Sequence, residues 1–132
     1  MTTEIEIWDC CEVAKKDVYT VALLGSTGKV GGWVLEMALE RGHTVRVLIR
    51  NPDKLDEYSN YFMMKKLYII QGGIDNEERM RELVNGVDVV ISTLGSRSKN
   101  DLIMATAAEA LVQALNDISE RPRYFLNYLY LF

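Results

Sequence analysis

A chain of 132 residues, 48% hydrophobic and 26% charged, has the make-up of a single globular domain able to bury roughly two-thirds of its unfolded surface. Its net charge of −4 excludes a general nucleic-acid binder reading sequence directly, because such proteins carry basic surfaces. No apolar run approaches the ~20 residues of a membrane-spanning helix, so no membrane partner is expected.

Residues 1–17 open the chain. Glu4 and Glu6 stand where a secretory leader would place basic and then apolar residues, so no such leader is expected. Ile5 and Ile7 alternate with them as in a short strand or extended arm, and Trp8 needs burial or a partner. Cys10 and Cys11 are adjacent and the chain has a single histidine. That pattern fits a reducing, cytoplasmic setting better than a disulfide framework, and it supplies no metal site.

The most informative stretch is residues 18–50. Val21, Ala22, Leu23 and Leu24 make an apolar run short enough for a buried parallel strand, and Gly25, Gly28 and Gly31 follow at every third residue. Residues 29–41 then take a helical period, with Val30, Trp33, Val34, Met37 and Ala38 as its apolar face. Gly42 stops that helix, and Val45, Val47 and Ile49 begin a second strand. Two parallel strands joined by a helix within roughly thirty residues form a βαβ unit, whose glycine turn is where a dinucleotide pyrophosphate docks. One glycine turns the chain, a second admits the phosphates, and a third lets the helix pack close. The helix N-terminus offers free N–H groups, Ser26 and Thr27 add hydroxyls, and Lys29 adds a cation. A Walker-type phosphate loop does not fit, since Leu23 stands where its first glycine is needed and Val30 where its hydroxyl is needed. At the end of the second strand, where an NAD site would carry Asp or Glu, stands Arg50. A guanidinium there pairs with a 2′-phosphate, favouring NADP(H) over NAD(H).

Pro52 turns the chain, with Asp53 expected to cap a short helix over residues 54–58. LYIIQ over residues 67–71 reads as the third strand, residues 77–84 as an amphipathic helix carrying Met80, Leu83 and Val84, and residues 87–92 as the fourth strand. Its exit, Ser92-Thr93-Leu94-Gly95-Ser96, falls at the carboxyl edge beside the first glycine turn. Ser98 and Asp101 form a capping-box-like start for a helix whose core face includes Leu102, Ile103, Ala107, Ala110, Leu111, Ala114 and Leu115. Arg97 and Lys99 read as a solvated loop, and residues 124–131, YFLNYLYL, as a fifth strand. An apolar aromatic strand at the sheet edge invites pairing with a second copy.

The segments GSTGKVG (25–31), RVLIRNPDKL (46–55) and DVVISTLGS (88–96) together resemble the NAD(P)H-binding domain of atypical short-chain dehydrogenase/reductases, most closely the NmrA-like and flavin/biliverdin-reductase-like proteins. The resemblance covers residues 18–114. It implies a single three-layer, doubly wound parallel sheet of order 3-2-1-4-5, with residues 1–17 as an extension and residues 18–132 as the Rossmann-like domain. It also implies that cofactor contacts fall on Gly25, Ser26, Thr27, Gly28, Lys29, Val30, Gly31 and Arg50, with Ser92, Thr93 and Gly95 beside the ribose and nicotinamide. Members of the group place Gly-Asp after the third strand. Here Gly72-Gly73-Ile74-Asp75 displaces the acid to Asp75. Tyr61 and Lys65 spell the Tyr-x-x-x-Lys signature of active dehydrogenases, but they fall between the second and third strands rather than after the fifth; the match is read as coincidence, and no catalytic residue is assigned. Members also continue beyond the fifth strand into a substrate region that this sequence does not contain. Three readings stay open: an NADPH-dependent reductase acting on a small-molecule electron acceptor, a non-catalytic NmrA-like sensor, and a fragment needing a partner.

Overall fold

The computed structural model describes residues 18–94 and 103–127. Five parallel strands form one sheet in the order β3-β2-β1-β4-β5, the order the sequence predicts. They are β1 (Thr20–Leu24), β2 (Thr44–Ile49), β3 (Leu67–Gln71), β4 (Val89–Ser92) and β5 (Tyr124–Asn127). The helices are α1 (Lys29–Glu40), a 3₁₀ segment (Pro52–Tyr58) running into α2 (Ser59–Met63), α3 (Glu77–Val84) and α4 (Ile103–Asp117). Among the described residues no helix is long and apolar enough to cross a membrane, and no three His, Cys, Asp or Glu side chains are gathered as for a metal ion.

Alternating residues of the sheet build two cores. Ala22, Leu24, Leu48, Ile70 and Val90 pack with Met80, Leu83 and Val84 of α3 and Leu111 and Ala114 of α4. On the other face Leu23, Val45, Val47, Ile49 and Leu67 pack with Leu35 and Leu39 of α1 and Leu55 of the 3₁₀ segment. A sheet covered on both faces explains why β1 and β2 read as nearly continuous apolar runs.

The connections are fixed by local chemistry. Gly42, at φ +85, closes α1: its N–H donates to Leu39 O and the His43 N–H to Ala38 O, each at 3.0 Å. This paired closure needs a left-handed residue. His43 is structural, accepting the Tyr19 N–H on Nδ1 at 3.1 Å with the two rings 5.6 Å apart. Arg46 donates to the carbonyls of Glu82 (3.1 Å) and Asn85 (2.7 Å), satisfying the end of α3.

Three expectations are corrected. The buried face of α1 is Gly31, Leu35 and Leu39, whereas Trp33 and Met37 stay 58% and 47% exposed. The helix touches the sheet where Gly31 has no side chain, and this turns residues 33 and 37 outward. The cap after β2 is Asn51, whose side chain accepts the Asp53 N–H at 3.1 Å, with Asp53 inside the first turn. The fourth strand begins at Val89 rather than residue 87, because Asp88 is engaged at the strand entrance, its N–H donating to Thr20 O and its Oδ2 accepting the Thr20 N–H, each at 2.8 Å. Residues 1–17, including Trp8, Cys10 and Cys11, lie outside the described residues. So do Gly95, Arg97, Ser98, Lys99, Asp101, Leu102 and the end of the last expected strand.

Candidate functional site

Parallel pairing places the carboxyl ends of the strands along one edge. Leu24 of β1 is in register with Leu48 of β2 and with Ser92 of β4, so the turns leaving those strands open side by side. Between them lies a cleft of about 670 Å³, lined by Gly25 to Lys29, by Leu48 to Asn51 and Lys54, and by Gly72, Ile74, Thr93 and Leu94. It sits where strand order reverses, the crevice in which open α/β sheets take their ligands.

The three glycines serve three different needs. Gly25, at φ +85, makes the turn, and a Cβ there would fall 2.5 Å from Thr93 Oγ1. A Cβ on Gly31 would fall 1.8 Å from Gly25 O, so only a bare residue lets α1 approach the turn. Gly28 is different. A Cβ there meets only Gly25 O, at 3.4 Å, so the fold itself tolerates a Cβ at this position, on the wall of the cleft. Gly28 is the extended residue before α1, no side chain caps that helix end, and its first turn contains no acid. The N–H groups of the first turn are therefore available to an anion.

Thr93 ties the walls together. Its N–H and Oγ1 donate to Leu24 O at 2.9 and 2.8 Å, and Oγ1 also approaches Gly25 O at 3.2 Å. Ser26 is 2% exposed and its Oγ has no hydrogen-bond partner among the described residues. An orphaned hydroxyl in the wall of a cleft is unusual in a protein interior.

The electrostatics run against the net charge. Among the described residues the lining carries three cations, Lys29, Arg50 and Lys54, and no carboxylate, in a chain of net charge −4. Lys29 Nζ also lies 5.8 Å from the centre of the exposed Trp33 ring. Cations, an uncapped helix end and a glycine cradle together suit a phosphate-bearing ligand.

Of the residues singled out in the sequence, Gly25, Ser26, Thr27, Gly28, Lys29, Arg50 and Thr93 line the cleft. Val30 and Gly31 stand behind it in the first turn of α1, Gly31 packed against the Gly25 carbonyl. Ser92 is buried at the end of β4, outside the lining. Asp75 is also outside the lining, yet close by: a Cβ on Gly73 would lie 2.6 Å from Asp75 Oδ1 and 3.3 Å from Arg50 Nε. Gly95 is outside the described residues. Tyr61 and Lys65 lie away from the cleft, Tyr61 against the α1-side core and Lys65 in a left-handed turn at φ 59. Sequence reasoning missed Asn51, Lys54, Gly72, Ile74 and Leu94. For Lys54 a signal existed: it is a second cation four residues after Arg50, in the turn that follows β2.

Comparison with known proteins agrees with this geometry. The chain is 29% identical over 111 residues to a phenylcoumaran benzylic ether reductase of Pinus taeda, covering 80% of this chain and 34% of that protein. The fold superposes on vestitone reductase from alfalfa with a TM-score of 0.66 at 19% identity, covering 83% of this chain and 35% of that one. It also superposes on NmrA, a negative transcriptional regulator solved in complex with NAD, with a TM-score of 0.64 at 18% identity, covering 85% of this chain and 33% of that one. The chain thus spans about a third of the length of these relatives. Residues 25–119, from the glycine turn to the end of the fourth crossover, match the NAD(P)H-binding family, and the chain belongs to that family.

Proposed function

We propose that the chain is the dinucleotide-binding part of an NADPH-dependent reductase of the flavin/biliverdin-reductase-like type, within the atypical short-chain dehydrogenase/reductase group. The observation that carries this reading is the cleft wall, whose described residues place three cations and no carboxylate around a glycine turn. The pyrophosphate lies over Gly25, Ser26, Thr27, Gly28 and Lys29, against the N–H groups that begin α1 at Val30 and Gly31. Arg50, joined by Lys54, takes the 2′-phosphate, which makes NADP(H) the preferred cofactor over NAD(H). Asp75 flanks the adenine ribose, while Ser92, Thr93 and Gly95 flank the ribose and nicotinamide. Bound NADPH supplies hydride, and the acceptor is a small oxidised molecule of the flavin or quinone class. The chain's own residues bind and orient: Gly28 keeps the phosphate path open, and Thr93 fixes β4 against the turn.

The reading divides the chain into an extension, residues 1–17, and a binding domain, residues 18–132, working in the cytoplasm. A second copy pairs along β5, where Phe125 and Leu126 are 45% and 57% exposed at the sheet edge. One observation favours a non-catalytic NmrA-like sensor as the second reading: the described lining residues include no carboxylate, imidazole, phenol or thiol to act as a general acid. Calorimetric titration with NADPH and NADH, followed by NADPH oxidation in the presence of a flavin or quinone, tests both. Preferential NADPH binding with turnover supports the reductase and binding without turnover the sensor. A folded chain that binds neither cofactor removes both.

A further inference from the structure

Two opposite charges crowd one face of Gly73. A Cβ on that glycine would stand 2.6 Å from Asp75 Oδ1, 3.3 Å from Arg50 Nε and 3.5 Å from Arg50 Nη2. The carboxylate and the guanidinium therefore lie within about 6 Å of each other, the range in which an opposite charge stabilises its neighbour. Both residues are exposed, and no hydrogen bond or ion pair engages the guanidinium among the described residues. Asp75 does not serve α3 as its cap, because Asn76 does so by accepting the Arg79 N–H at 3.1 Å. The carboxylate is thus left facing the cation at the cleft rim.

We infer that Asp75 is a specificity-determining counter-charge, which partly neutralises Arg50 and so limits how strongly the site prefers a 2′-phosphate to a 2′-hydroxyl. The inference rests on the reading of Arg50 as the 2′-phosphate partner. A phosphate arriving at Arg50 brings a charge of about −1.5 to −2 close to a carboxylate that stands near the same cation without pairing with it. It meets attraction from Arg50 and repulsion from Asp75 together. A ribose hydroxyl meets neither and can donate to the carboxylate. Gly73 fits this role, since any side chain there would push the two groups apart.

The test is calorimetric titration of the purified chain with NADPH and with NADH, in the wild type and in the Asp75→Asn, Asp56→Asn and Arg50→Gln variants. Asp75→Asn should tighten NADPH by about three- to tenfold, the scale for two solvent-exposed charges ~6 Å apart, and leave NADH unchanged or slightly weaker. The gain should shrink with added salt. Asp56→Asn removes the same charge from a residue that lines a separate groove between the 3₁₀ segment and β3 and should change neither affinity. An Asp75→Asn chain that binds NADPH no tighter, or more weakly, overturns the inference while loss of NADPH affinity in Arg50→Gln still upholds the role of Arg50. If Arg50→Gln leaves NADPH affinity intact, the underlying reading falls first. Binding of neither cofactor by the folded wild-type chain overturns both.

Discussion

Alanine at Gly31 and at Gly28 makes a paired perturbation whose outcomes the geometry separates. At Gly31 the new Cβ would fall 1.8 Å from Gly25 O, 2.6 Å from Gly25 C and 2.7 Å from Thr93 Oγ1. Two of those atoms are backbone in a turn held at φ +85, so no side chain can rotate away. Restoring an ordinary contact requires α1 to retreat by roughly 1.5 Å, which loosens Leu35 and Leu39 from the sheet. Overpacking of this kind costs ~1–3 kcal/mol, and the lost helix packing takes it to about 3 kcal/mol or more. For a domain of this size that lowers the unfolding midpoint by roughly 10 °C. At Gly28 the new Cβ has one neighbour at 3.4 Å, so the expected loss is below ~1 kcal/mol, mostly from a poorer helix cap. The methyl group then stands in the cleft, and NADPH affinity should fall by about tenfold or more. Thermal and urea unfolding measure the first effect, and calorimetry with NADPH the second. A Gly31→Ala chain that unfolds at the wild-type midpoint, or a Gly28→Ala chain that binds NADPH as well as the wild type does, would contradict these contacts.

Three further outcomes follow from named contacts. Arg50→Asp should weaken NADPH by roughly 100-fold, the loss of a charge-assisted pair plus new repulsion, with NADH changed by less than about threefold; equal losses would remove Arg50 from the 2′-phosphate. Ser26→Ala should stabilise the ligand-free chain by up to ~1 kcal/mol and raise its unfolding midpoint, because it removes a buried hydroxyl with no partner among the described residues. A lower midpoint would mean that the hydroxyl is satisfied. Arg46→Met should cost about 1–2 kcal/mol by uncapping the Glu82 and Asn85 carbonyls. It should leave dinucleotide affinity unchanged, as Arg46 does not line the cleft, and a change in affinity would contradict that.

Legibility of the fold tracked how strongly each element depends on its own residues. β3 and α3 fall at Leu67–Gln71 and Glu77–Val84, the spans expected from LYIIQ and from the spacing of Met80, Leu83 and Val84. Strand order was legible through the resemblance carried by the glycine turn, RVLIRNPDKL and DVVISTLGS, and the parallel crossover sheet it implies admits few other topologies. What the sequence hid was orientation. Hydropathy alone placed Trp33 and Met37 on the inner face of α1, yet contact with the turn at Gly31 decides which way the helix turns, and a residue without a side chain carries no hydrophobic signal. Asn51 and Asp53 are equally good caps by residue type; only the backbone conformation after β2 chose Asn51. Lys54 reads as part of a short helix in the sequence, and its place in the cleft lining depends on the path of the 3₁₀ segment after β2. Arg50 was legible because it adjoins a strand end whose position the βαβ unit already fixes.

The local gathering of cations resolves an apparent conflict between an acidic protein and an anionic ligand. Lys29 is far in sequence from Arg50 and Lys54, but β1 and β2 are paired in parallel with Leu24 opposite Leu48, so the turns that follow the two strands end at one place. Parallel pairing therefore concentrates positive charge that composition averages away. Exposed charges are screened beyond about 8 Å at physiological ionic strength. Glu77 and Glu78, on the first turn of α3, oppose the dipole of their own helix and belong to its stability more than to the cleft's potential. Net charge accordingly governs solubility and long-range approach, while ligand sign is set within one screening length of the glycine turn. On that scale the carboxylate the geometry singles out is Asp75, close to Arg50 across Gly73, and titration of Asp75→Asn with NADPH and NADH decides whether it tempers that cation.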